Sequence, residues 1–340
     1  MKSQWNRLLF GLLTTVGMLI PGGSLTAQDL ATAATVPVRM TVTASVAGDK
    51  RMPDIAQEDV RVKRGKEHLQ VTDWAPARGN RAGLELFILI DDSSRTQPGL
   101  QLDELRRFIR YQPSTTLVGV GYMRNNIVQI AQDLTTDHTL AANSVRLPFG
   151  SGVSYGSPYL SAIDLMNRWP DSQNRHEIVM VTDGIDRPHR HSRWERGLRI
   201  NPRVESASAV AQRKGVMIHT IYSPGVLHPR SSYWDAANGQ MGIAKLSDAT
   251  GGESFFLGIH TPVSFRPYLA ELQQTLDNQY LVSFSIAPGK KARLHYVTVS
   301  TPIPGVEFNT HDAVWVPSEK SARKSTDAVL VSATASSTGR

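Results

Sequence analysis

Leu84-Glu85-Leu86-Phe87-Ile88-Leu89-Ile90, followed by Asp91-Asp92-Ser93-Ser94-Arg95-Thr96, is the stretch that decides the fold. Its first half is a nearly continuous apolar run, the pattern of a strand covered on both faces in a parallel sheet. Four more runs carry the theme: Leu117 to Met123, Ile127 to Ile130, Ile178 to Val181 and Val216 to Tyr222. Helical patterns alternate with them. Leu102, Leu105, Phe108 and Ile109 share one face, and Leu160, Ile163 and Met166 share another that begins at Ser157-Pro158. Ser is a good N-cap there, with Pro at the first helical position. Val204, Ala207, Val210 and Ala211 form a third face, closed by Lys214-Gly215. Strand–helix alternation predicts an α/β domain over 83–262: an open, mostly parallel sheet flanked by helices on both faces. Its ligand site is expected at the carboxyl ends of the strands.

The flanks read as β structure. Val36 to Val46 alternates at period two before a Gly48-Asp49-Lys50 turn, and Asp59 to Lys63 and Leu69 to Trp74 follow. These predict a small β-rich module over 28–82, with a linker at Pro76 to Gly83. Toward the other end, Gln279 to Ile286, a Pro288-Gly289 turn and Ala292 to Thr301 predict a hairpin, with Ala313 to Val316 as an added strand. That C-terminal module spans 263–317, and 318–340 reads as a flexible tail of Ser, Ala, Thr, Lys and Arg.

The first 27 residues have the anatomy of a secretory signal peptide. Lys2 and Arg7 precede the apolar run Leu8 to Ile20, then Pro21-Gly22-Gly23 and a small-residue cleavage site at Ala27. The run is short for a spanning helix, which needs about 20 residues. The expectation is an exported protein, periplasmic or secreted, with an uncleaved N-terminal anchor as the alternative. Of the 340 residues, 40% are hydrophobic and 20% charged, which suits a sizeable core and not a disordered chain. Cys is absent, so disulfides, thiol chemistry and Cys-based zinc sites are excluded. The net charge of +7 favours anionic surroundings such as an acidic envelope surface.

Four motifs in order resemble von Willebrand factor A domains. Ile88 to Thr96 is similar to the family's first-strand loop, where Asp-x-Ser-x-Ser follows an apolar strand, and Val179 to Asp186 is similar to its Thr-Asp-Gly strand end. Gly156-Ser157-Pro158-Tyr159-Leu160 stands where the family's Thr-bearing loop is expected, and Ala249-Thr250-Gly251-Gly252 with Phe255-Phe256 resembles a segment near its end. The resemblance implies a Rossmann-like fold and a metal-ion-dependent adhesion site that holds Mg²⁺ or another divalent cation. Carried over, the ligands are Asp91, Ser93, Ser157 and Asp183. Arg95 stands at the family's second Ser, and a shifted register of Asp92, Ser94 and Thr96 supplies three oxygens instead. Arg95 could also pair with Asp91 or Asp183 and take the cation's place.

Plainer readings stand beside these. Asp91 and Asp92 can satisfy turn N–H groups, Ser157 can be only an N-cap, Asp183-Gly184 only a turn, and Asp186-Arg187 a local ion pair. The segment Arg187 to Arg203 holds six Arg, His189, His191 and Trp194 against Glu195 alone. It reads either as a solvated loop or as a basic collar, with Arg95, Arg187, Arg190, Arg193 and Trp194 meeting a partner. His189 and His191 are too few for a transition-metal site. A Walker loop, His-Glu-x-x-His and a dinucleotide fingerprint are absent, and Gly119-x-Gly121 lies inside a strand. The chain therefore reads as a binding module and not an enzyme, its partner a protein that offers a carboxylate, with no nucleic acid expected. The alternatives are a metal-free structural component of an envelope complex, or an anion-binding protein that uses the Arg187–Arg203 loop. The sequence leaves the oligomeric state open.

Overall fold

A computed structural model describes residues 35–46, 48, 51–78, 83–93, 100–149, 156–186, 201–224, 233–256 and 262–322. The chain opens with β1 (Val36–Val46), β2 (Arg61–Arg64), β3 (Glu67–Leu69) and β4 (Val71–Pro76). The α/β part follows with β5 (Leu84–Asp91), α1 (Leu100–Arg110), β6 (Thr116–Arg124), β7 (Ile127–Thr135), α2 (His138–Asn143) and α3 (Pro158–Arg168). It continues through β8 (Arg175–Thr182), α4 (Pro202–Lys214), β9 (Val216–Tyr222), α5 (Tyr233–Thr250), β10 (Ser254–Phe255) and α6 (Arg266–Asp277). β11 (Gln279–Ile286), β12 (Arg293–Tyr296), β13 (Thr298–Ser300), β14 (Val306–Thr310) and β15 (Ala313–Val316) close it. Among the described residues no helix is long and apolar enough to cross a membrane. Residues 1–27 and 323–340, where the leader and most of the tail are expected, lie outside the described residues.

The central sheet runs β10-β9-β8-β5-β6-β7, parallel except for β7. Numbered within the sheet by chain order and read from the β7 edge, that is 3-2-1-4-5-6, the doubly wound order whose direction reverses between the first and fourth strands. Here those are β5 and β8. Every residue of β5 is buried, and its side chains alternate between two cores. Leu84, Leu86, Ile88 and Ile90 join Leu105 of α1, Ala141 of α2 and Leu272 of α6. Phe87 and Leu89 join Ala162 of α3, Ala207 of α4 and Leu246 of α5. Each such buried aliphatic side chain contributes about 1.5–3 kcal/mol.

Several expectations need correction. The α3 residues that face the core are Tyr159, Ala162, Leu165 and Met166, while Leu160 and Ile163 are only half-buried. The real stripe is shifted by one position because Tyr159 and Trp169, large and buried, set it. Gln279–Ile286 does not form a hairpin with the next strand. β11 lies between β1 and β4, both antiparallel to it, while β12 pairs with β15 and β13 with β2. The reason is hydrophobic: Met40, Val42 and Ala44 of β1 and Val282, Phe284 and Ile286 of β11 bury one shared core, so the flanks build β structure together. α6 falls inside the expected C-terminal module, yet its Leu269, Leu272 and Leu276 pack on the α/β core.

Candidate functional site

The carboxyl ends of β5 and β8 sit side by side at the point where the strand order reverses, the place where doubly wound folds bind ligands. Asp91 is the last residue of β5, and its carboxylate is buried in a web of donors. Oδ1 accepts the Ser93 backbone N–H at 2.9 Å and the Ser93 hydroxyl at 2.6 Å. Oδ2 accepts the Thr182 hydroxyl from the end of β8 at 2.8 Å, and Thr182 Oγ1 in turn accepts the Gly184 N–H at 3.1 Å. Asp183 is buried beside this chain, and its Oδ1 accepts the Ile185 N–H at 2.9 Å.

The start of α3 is tied to the same place. Tyr159 Oη donates to the Gly184 carbonyl at 2.9 Å. Burial, with the charges of Asp186 and Asp183, pushes the Tyr159 phenol far up, which keeps it a donor. Gly184 holds a left-handed φ of +70°, and a Cβ there would stand 2.4 Å from the Gly239 carbonyl of α5. The Thr-Asp-Gly glycine thus lets the turn lie directly on that helix.

Ser157 occupies the N-cap position of α3, but its side chain caps nothing. Its N–H donates to Asn126 Oδ1 at 2.8 Å. Asn126 belongs to a two-residue turn between β6 and β7, with Asn125 and Asn126 at φ +54° and +70°, the geometry of a type I′ hairpin. The Ser157 side chain is 2% exposed, and its Oγ has no hydrogen-bond partner among the described residues. Such orphaned hydroxyls are rare, because each costs about 1–3 kcal/mol. Asp91, Ser93, Ser157, Ser161 and Asn126 line one cavity of about 10 Å³, room for a single ion or water.

Asp92, one residue on, belongs to a different set. It accepts both arms of Arg146 at 2.8 and 3.1 Å and the Phe149 N–H at 3.1 Å. Arg146 lies over the rings of Tyr122 and Phe149, at 3.7 and 3.9 Å. Among the described residues Arg146 meets this loop at Asp92, and Arg124 lines the cavity beside Asp91 and Ser93; the sequence reading passed over both. Asp92 does not line the cavity, while Ser94, Thr96 and Arg95 lie outside the described residues. So do Arg187, Arg190, Arg193, Trp194, His189 and His191. Asp186 pairs with Arg203 and Asn201 at the start of α4, while Arg187, offered as its local partner, lies outside the described residues. Gly152-Val153-Ser154-Tyr155-Gly156 has the spelling of a nucleophile elbow. The sequence reading counted that motif as absent; Gly152 to Tyr155 lie outside the described residues.

The donor set suits a hard cation: one carboxylate and two hydroxyls at the cavity, with Asp183 at the neighbouring strand end. Among the described residues no three His, Asp or Glu side chains gather as ligands, so the hydroxyls are essential to any such site. The strand order of the central sheet is that of a doubly wound fold. No family model and no curated protein matches the chain. Solved structures similar to it include an aerotolerance-related membrane protein from Bacteroides fragilis, 16% identical over 57% of this chain and 99% of that one, with a TM-score of 0.36. BatB from Bacteroides thetaiotaomicron is 16% identical over 56% and 97%, with a TM-score of 0.39. The VWA domain of SpRpn10 is 15% identical over 56% and 94%, with a TM-score of 0.36. The functional argument rests on this chain's own residues.

Proposed function

We propose that this is an exported binding protein that engages a protein partner through the loops at the carboxyl ends of β5 and β8, using a divalent cation held by Asp91, Ser93, Ser157 and Asp183. The observation that carries it is the buried Ser157 hydroxyl, without a hydrogen-bond partner among the described residues, in a one-ion cavity with Asp91 and Ser93. Ser93 spends its proton on Asp91, so its lone pairs remain for a cation. When bound, Mg²⁺ or a similar ion would offer an open coordination position to a carboxylate of the partner. Export rests on residues 1–27, and the positive net charge suits an anionic envelope surface.

The test is thermal unfolding in EDTA, Mg²⁺, Mn²⁺ and Ca²⁺, for the native chain and Asp183→Asn. A cation that binds only the folded state stabilises it by about 2.7 kcal/mol at a hundredfold excess over its dissociation constant. We expect a rise with Mg²⁺ or Mn²⁺ that Asp183→Asn loses. No rise at millimolar concentrations sinks the cation reading. The metal-free structural reading would then lead, favoured by the Arg146 charge already docked on this loop.

A further inference from the structure

The other end of the sheet holds a second cleft, of about 390 Å³, within the roughly 300–1,000 Å³ of small-molecule pockets. It opens where β1 and β15 face the amino ends of β8 and β9 and the last turn of α4. Its walls carry Arg39, Arg175, Arg213 and Lys214 against one lining carboxylate, Asp171. Asp171 is largely exposed, and its contact with Lys214 is 3.3 Å. Two of the lining side chains are buried with a ring or guanidinium nitrogen left unpartnered: Arg175 Nε and His311 Nε2.

Arg175 is held in place from behind. One arm donates to Gln279 Oε1, and the buried Glu177 carboxylate lies 3.5 Å away, itself fixed by His219 at 2.9 Å. His311, which binds the Val216 backbone through its ring, also lines the cleft. On the opposite wall the Arg213 guanidinium lies 4.6 Å over the Trp315 ring, which holds its charge at the rim. Arg39 reaches the Gln173 carbonyl at 3.4 Å on a third side. Pro37, Leu281 and Val314 supply an apolar floor. Cations converge from three elements on a space with an apolar lining, and a buried polar nitrogen without a partner is a standing cost unless a ligand meets it.

We infer that this cleft binds a small organic molecule through an oxyanion, a carboxylate or a phosphate, clasped by Arg39, Arg175 and Arg213, with its apolar body against Trp315 and Leu281. Guanidinium forks suit both oxyanions because they meet two oxygens at once. The site is separate from the cation loops and does not depend on them.

Calorimetric titration of the full chain with phenyl phosphate, benzoate and inorganic phosphate, at ionic strength fixed with chloride, tests it. We expect saturable 1:1 binding of at least one organic probe, tighter than inorganic phosphate. Arg213→Gln and Arg39→Gln, both on the rim and not in the core, should each weaken it about tenfold or more with the unfolding temperature unchanged. Phenyl phosphate alone or benzoate alone would identify the oxyanion. No saturable binding beyond chloride, or full affinity in both variants, overturns the proposal.

Discussion

Ser157→Ala gives opposite signs under the two readings of that residue. If Ser157 serves as an N-cap, its hydroxyl accepts an N–H of the first turn, and its removal costs about 1 kcal/mol with or without a cation. The structure shows no such bond, and the oxygen is buried without a hydrogen-bond partner among the described residues. A buried hydroxyl in that state costs about 1–3 kcal/mol, and deleting one oxygen leaves a gap too small to matter. In EDTA the variant should therefore be more stable, by about 1 kcal/mol, or roughly 2 °C in Tm for a chain of this size. In Mg²⁺ the same variant lacks a ligand, so the increment seen in the native protein should shrink or vanish. Urea unfolding followed by circular dichroism, with EDTA and with 10-fold and 100-fold excess Mg²⁺, reads both effects as shifts in midpoint at constant slope. A loss of about 1 kcal/mol in EDTA would show a cap after all. A gain in EDTA with the Mg²⁺ increment intact would leave the orphaned hydroxyl real and the cation elsewhere.

Gly239→Ala sets propensity against packing: Ala is favoured over Gly in a helix by about 1 kcal/mol, but its Cβ would lie 2.2 Å from the Asp183 carbonyl. Overpacking of about 1–3 kcal/mol should win, so thermal unfolding should show a net loss and a weakened Mg²⁺ response; a stabilised variant would refute the close crossing. Acid should act in two stages. Burial pushes the His311 and His176 rings below the usual 6.5, so the unfolded chain takes up protons first and stability falls as pH drops from about 6.5. Burial pushes Glu177 up, but the His219 hydrogen bond and the His219 and Arg175 charges outweigh it, so the carboxyl titrates below its usual 4.5. Its contribution is present above 4.5 and lost below. His311→Gln should flatten the first stage of a Tm-against-pH curve, and an unchanged slope would refute the assignment.

What was legible in the sequence follows from what local pattern can encode. β5, β8 and β9 stood out because a strand covered on both faces must be apolar at nearly every position. Glu85, which interrupts β5, is buried at its entry and satisfied by Trp169, Ser172 and Asn174, partners more than 80 residues away. α5 carries Ala236, Gly239 and Gly242 on its buried side, small residues chosen for close approach, so no stripe of large apolar residues announced it. The β11 strand was visible but its partners were not: β1 lies some 240 residues upstream, and a hairpin is only the nearest option, not the one that buries Phe284 and Ile286. At the site, Asp91, Ser93 and Ser157 were singled out by the resemblance to von Willebrand A domains, and they line one cavity. The division of labour between Asp91 and Asp92 was not readable, because it depends on Arg146, 54 positions along the chain.

That division bears on how well the cavity could hold a cation. Thr182 donates to one oxygen of Asp91 and Ser93 to the other, so both hydroxyl protons point at the carboxylate. A hydroxyl oriented in this way presents oxygen lone pairs elsewhere, and Ser93 presents them in a cavity that Ser157 shares. The β5 and β8 ends and the α3 start are already joined by Thr182–Asp91 and by Tyr159–Gly184. An ion entering such a frame does not have to order it first, and ordering is what usually erodes the affinity of small ligands. The charge of Asp92 is meanwhile answered by Arg146, outside the cavity, so the loop is not left with two uncompensated carboxylates. Both features favour a cation effect that saturates simply with concentration and leaves the fold unchanged. A cooperative or folding-coupled Mg²⁺ response, with circular dichroism changing as the ion is added, would contradict a site preformed in this way.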